Sequence, residues 1–262
     1  MNTTTTIPTA RRGAVEAAAD RKTALVAGAL YLATFIGSIP ALPLYHDILK
    51  DPSYILHGGS DTGVLWGALL EIICAFAGIG TAVVLYRVVK RHDPTRALGF
   101  VAARTFEAAM ICVGVVSVLA IVTLHQDAAG MSGAASTGLV STVRGLVAVH
   151  DWTFLVGPGL MPAVNALCLA TVLYRTRLVP RIIPLLGLIG APLLAASSIA
   201  TLFGVWDQVS PAAALMGLPI AAWEFSLGVW LVVKGFTYSP AASNNRPALD
   251  GNLDSERRPA MA

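Results

Sequence analysis

Residues 63–86 read GVLWGALLEIICAFAGIGTAVVLY, a run of 24 with a single charged side chain, Glu71. As a helix rising about 1.5 Å per residue, such a run is about 36 Å long. That is enough to cross a hydrocarbon core ~30 Å thick. Five stretches of the same kind surround it: Thr23–Tyr45, Ala97–Leu124, Trp152–Tyr174, Ile182–Trp206 and Val209–Val233. The sequence therefore predicts an all-α fold, a polytopic membrane protein built as a bundle of six transmembrane helices. Composition agrees, because only 13% of the 262 residues are charged, against ~25% in a soluble domain. The links are short, so one membrane domain is expected over residues 21–237. Disordered tails are expected at 1–20 and 238–262. The first run is too long for the core of a cleaved signal peptide. Glu16 and Asp20 also separate it from the Arg11-Arg12 pair.

The basic residues fall between alternate pairs of runs. Fifteen of the 18 lie in the N-terminal stretch, the link 87–96, the link 175–181 and the stretch after Val233. Lys50 and Arg144 lie in the other set of links, and Arg104 lies within the third run. Translocating positive charge is disfavoured, so the Lys/Arg-rich side stays cytoplasmic. Both termini are predicted inside. Trp66, Trp152 and Trp206 sit near the opposite, outer ends of their runs, where an aromatic belt belongs. In the second outer loop Leu139, Val143, Leu146 and Val147 recur at helical spacing. They predict a short amphipathic helix on the membrane surface around Gly138–Ala148. Pro40 and Pro43 would kink or end the first helix. Pro158, Pro162 and Pro219 would each remove a helical hydrogen bond and call for a neighbour to satisfy the freed carbonyl.

Five polar residues share one depth. From the helical rise, Glu71 lies about 12 Å below the outer face, Asn165 about 20 Å and Glu224 about 18–22 Å. Counted from the inner face, Arg104 lies about 10 Å in and Glu107 about 15 Å in. An unpaired charge there costs at least ~2.5–3.5 kcal/mol. These groups should face one another or a polar cavity, and they form the candidate intramembrane site. Glu71 shares a helical face with Gly67, Ala75 and Gly78, and Glu224 with Gly217 and Ala221. Small residues mark faces where membrane helices approach closely. Arg104 and Glu107, three residues apart, can pair along one helix. Glu71 and Glu224 then lack an obvious cation and would take up a proton, share Arg104 or bind a cation. The other reading is a structural ion-pair network that fixes helix packing. A weaker candidate group, His125, Asp127, His150 and Asp151, lies at the outer face, where it could form a metal or proton-access site.

Several function classes are disfavoured. No stretch combines dense Lys/Arg with aromatics, so no nucleic-acid partner is expected. Cys74, Cys112 and Cys168 sit inside three different apolar runs, unlike a disulfide framework. No Cys/His pair has metal-site spacing, and no metal or cofactor is expected. No H-E-x-x-H, P-loop or dinucleotide fingerprint occurs. Gly130-Met131-Ser132-Gly133 matches the G-x-S-G of rhomboid intramembrane proteases, but the sixth run has no histidine to activate a serine, and a serine without a base is a poor nucleophile. An enzyme is thus the third choice.

Three stretches resemble the prokaryotic membrane protein family known as domain of unknown function 4386. They are Leu85-Tyr86-Arg87 through Arg104 to Glu107, Val149-His150-Asp151-Trp152 through Arg181 to Gly190, and Glu224 through Gly228 and Trp230-Leu231 to Phe236. The resemblance implies a six-helix integral membrane protein, multi-pass in a prokaryotic cytoplasmic membrane, with no assigned activity. The expected partners are the lipid bilayer and a small solute or ion, and the oligomeric state stays open. Two functions stand: a protein that moves or senses a small solute or ion through the central site, and a non-catalytic accessory or assembly protein whose buried charges are structural.

Overall fold

The computed structural model describes residues 9–56, 60–128 and 134–237. Within them every long element is a helix: α1 (Thr9–Leu44), the short α2 (His46–Lys50), α3 (Thr62–Val89), α4 (Pro94–Asp127), α5 (Ala134–Phe154), α6 (Met161–Thr176), α7 (Ile182–Leu202) and α8 (Pro211–Val233). A 3-10 turn, Pro52–Leu56, follows α2, and a π-helical turn, Leu155–Gly159, joins α5 to α6. Six spans are long and apolar enough to cross a membrane: α1, α3, α4, the α5–α6 unit, α7 and α8. Large apolar side chains such as Ile36, Phe76, Val116 and Leu215 are exposed around them. Water would penalise that surface, and lipid does not. The protein is an integral, multi-pass membrane protein.

Local chemistry sets the helix ends. Asp93 accepts a hydrogen bond from the Arg96 N–H at 2.9 Å ahead of Pro94, and Ser210 accepts from Ala213 N–H at 3.2 Å ahead of Pro211. Each pairs a side-chain cap with a proline in the first turn, where the missing N–H costs nothing. The Asp93 carboxyl is held below its ordinary range by the Arg96 backbone N–H, with the Arg96 side chain adding to it. Arg177 ends α6 in the left-handed region at φ 57°.

Neighbouring spans form a closed ring, α1–α3–α4–α6–α7–α8 and back to α1, with α5 against α4. Both described chain ends lie at one end of it, the terminal end. Arg21 donates to the Leu231 and Val232 carbonyls at 3.0 and 2.8 Å. Arg91 in the α3–α4 link pairs with Asp20 at 3.2 Å. Thr237 N–H donates to the Leu178 carbonyl in the α6–α7 link at 2.8 Å. The two basic links and both described chain ends thus share one face of the ring. Helix α1 starts at Thr9, and Asp20 is buried while its partner Arg91 is exposed. Residues 1–8 and the second expected tail, 238–262, lie outside the described residues, as does the loop carrying Gly130 and Gly133.

Two differences from the sequence reading concern the fourth span. The separate surface helix expected around Gly138–Ala148 is instead the first half of α5, which runs without a break to Phe154. Val143 is wholly buried in a cluster with Ile48, Ile55, Val118 and Ile121. Its apolar stripe is therefore covered by protein, because α2 and the 3-10 turn fold back over it. The span then breaks at Leu155–Leu160, where Pro158 sits in the π-helical turn. The Gly159 carbonyl accepts a hydrogen bond from Ser198 Oγ of α7 at 2.8 Å, the neighbour's donor that a proline break in lipid demands.

The core has two layers. One, toward the terminal end, joins Tyr31, Leu85, Phe100, Leu169, Trp223 and Leu227. The other, toward the opposite or loop end, joins Tyr45, Ile48, Val64, Val118 and Ile121. On α1, α3 and α4 the polar residues Thr34, Ser38, Glu71, Arg104 and Glu107 lie between them.

Candidate functional site

Helix periodicity places Arg104 and Glu107 one turn apart on α4, and both side chains turn into the ring. Arg104 is 3% exposed. Its Nη1 donates to Glu107 Oε2 at 3.1 Å, and its Nη2 donates to Glu224 Oε1 of α8. The guanidinium also lies 5.3 Å from the Tyr31 ring and 6.0 Å from the Phe100 ring. The cation is held by two carboxylates and flanked by two aromatic rings, which offsets much of its desolvation. Asn165 of α6 donates to the same Glu107 oxygen at 2.6 Å.

A partly open cavity of about 290 Å³ abuts this cluster. Arg104, Glu107, Glu224 and Glu71 all line it. The remaining wall is mostly apolar and includes Phe35, Ile39, Ile111, Phe154 and Ile220, with the hydroxyls of Thr34 and Ser38 on α1. Four of the five sequence candidates therefore meet at one space. Asn165 does not line it; it acts from behind, orienting Glu107. Glu71 stands apart from the ion pairs. It forms no ion pair among the described residues, and its neighbours are Tyr45 and His150. Gly67, one turn before it, makes room for the Tyr45 ring, which a Cβ there would meet at 2.7 Å.

The outer group does not assemble. His125 Nδ1 lies 2.8 Å from Asp61 Oδ1, and that oxygen also accepts from the Tyr54 hydroxyl at 3.0 Å. Gln126 reaches the second Asp61 oxygen at 3.3 Å. Burial, with the Asp61 carboxylate beside it, pushes the Tyr54 phenol up to about 12. This cluster ties the 3-10 turn to the end of α4. His150 belongs elsewhere: it is buried, stacks on Phe154 and meets Tyr45 edge-on at 5.9 Å. Its Nδ1 contacts the exposed Asp151 at 3.3 Å. Among the described residues Asp127 joins neither group, and no three His, Cys, Asp or Glu are placed to hold a metal ion. The physical reason is separation around the ring, with His125 at the α3–α4 edge and His150 turned inward beneath α2.

The sequence reading did not single out Tyr31, Thr34, Phe35 and Ser38, which give α1 its share of the site. The available signal was a buried tyrosine in an apolar run with hydroxyl residues at Thr34 and Ser38, one turn apart.

Residues 26–235 match the family described as domain of unknown function (DUF4386). The chain belongs to the DUF4386 family. No curated protein and no solved structure matches it. The matched region of this DUF4386 protein runs from α1 to just beyond α8 and includes every residue of the cavity.

Proposed function

We propose that this DUF4386 protein moves or senses a small solute or ion through the central cavity. The supporting observation is the cavity itself: three carboxylates and one guanidinium meet in a polar layer between two apolar core layers. A charge that deep in a bilayer is costly, and a packing device alone does not need an open space beside it. Its setting is a prokaryotic cytoplasmic membrane with the terminal end inside, since the basic links and both described chain ends share that face. A reporter active only in the cytoplasm should work when fused to either terminus. Activity at one terminus alone would overturn the topology.

The test of the site uses purified protein in sealed vesicles. Glu107→Gln and Glu224→Gln each leave Arg104 one carboxylate partner, so both variants should fold. Ion- or proton-dependent flux, or the ion-dependent response, should fall at least tenfold in each. Flux equal to that of the unaltered protein would remove the reading. A second reading, an accessory protein with structural charges, draws support from how Glu107 and Glu224 hold Arg104, with Asn165 donating to Glu107. It expects no flux in any variant.

A further inference from the structure

We infer that the cavity binds an organic monocation with an apolar body, a small hydrophobic amine, with Glu71 as its counter-ion. The inference rests on the proposed role of the cavity and names the chemistry of its occupant.

Charge decides the sign of the ligand. Arg104 is already engaged by Glu107 and Glu224, so an anion entering the cavity would meet a neutralised cation and surplus carboxylate. Glu71 has no Lys or Arg opposite it among the described residues; the groups that face it are the Tyr45 hydroxyl and the His150 ring. A neutral guest would leave an ionised Glu71 among apolar walls without a full counter-charge, which is unfavourable. An ammonium group next to Glu71 removes the deficit.

Shape decides the rest. Phe35, Phe154, Ile39, Leu42 and Ile220 supply apolar walls around the carboxylate. Small-ligand sites are typically apolar with a few placed polar groups, and their volumes start near ~300 Å³. A bare metal ion or proton would leave these walls empty, whereas a benzyl- or alkyl-sized body fills them. The two phenyl rings also favour a cation over their faces. The loop end offers an approach to this wall. A wider vestibule of about 580 Å³, lined by Asp151, Asp207 and Lys50, shares Leu42 and Phe154 with the cavity wall. Its two carboxylates outnumber its one cation, a balance that draws cations inward.

The test is equilibrium dialysis of the protein in lipid nanodiscs against labelled benzyltrimethylammonium, with empty nanodiscs as the baseline. Saturable binding, about one per chain, is expected, and phenylpropionate should not displace it. Glu71→Gln should weaken binding at least tenfold, and Asp61→Asn, outside the cavity, should leave it unchanged. If Glu71→Gln does not fold, Gly78→Leu decides: a Cβ at this cavity-lining position meets no atom within 4 Å, so a side chain begun there starts in free space beside the cavity and takes up part of it. Binding equal in these variants, binding of phenylpropionate as strong, or uptake no greater than into empty nanodiscs would overturn the inference. Should the probe fail to bind while Glu107→Gln still abolishes ion flux, only the ligand class falls. Failure of both removes the site.

Discussion

Arg104→Met should be the most damaging single substitution in the bundle, lowering stability by about 3–5 kcal/mol, the usual cost of stripping one partner from a buried ion pair. Two carboxylates, Glu107 and Glu224, would be left facing one another with no cation between them, under a guanidinium-sized gap beside Tyr31. Thermal melting of the detergent-solubilised protein measures it. The triple variant Arg104→Met, Glu107→Gln, Glu224→Gln removes all three charges together and should recover most of the loss. A single Arg104→Met variant that melts with the unaltered protein would mean that the network is not holding the helices.

Gly28→Val should open the ring where α1 meets α8. A Cβ at Gly28 would come within 2.6 Å of the Gly228 carbonyl oxygen and 2.8 Å of the Val232 nitrogen. Both are backbone atoms, so no rotamer change relieves the clash and a helix must move. Overpacking typically costs ~1–3 kcal/mol, and a backbone-to-backbone contact belongs at the upper end. Gly78→Ala is the control, since that position has free space and gains helix propensity. The expected result is a large fall in folded yield for Gly28→Val and none for Gly78→Ala. Equal yields would show that α1 and α8 are not locked at this crossing.

The six spans were legible because lipid imposes a length and polarity filter that a 24-residue run such as 63–86 either passes or fails. The clustering of basic links at one end was legible for a related reason, since alternate links of antiparallel spans must share a face. Within the site, the Arg104–Glu107 pair follows from three-residue spacing on one helix. Partners across helices do not follow in this way. Depth favoured Glu224, at about 18–22 Å below the outer face against about 20 Å for Arg104 and about 12 Å for Glu71. The ring order, however, makes α3 and not α8 the neighbour of α4, so the Arg104–Glu224 pair closes across the ring. The same order put Asn165 behind Glu107 instead of at the cavity wall, and it sent His125 to Asp61 while His150 turned toward Glu71. The amphipathic stripe around Val143 pointed to a buried side, yet periodicity is the same whether lipid or protein covers it.

By itself the sequence determined that the chain is a six-span membrane protein, which way alternate links face relative to one another, and at what depth its charges lie. These are one-dimensional properties, set by helical rise, hydropathy and charge along the chain. Only the tertiary structure decided which acid is paired and which is left facing an apolar cavity. That choice depends on which side chains the closed ring turns inward, and the ring is closed by packing between residues about 200 positions apart, such as Gly28 against Gly228.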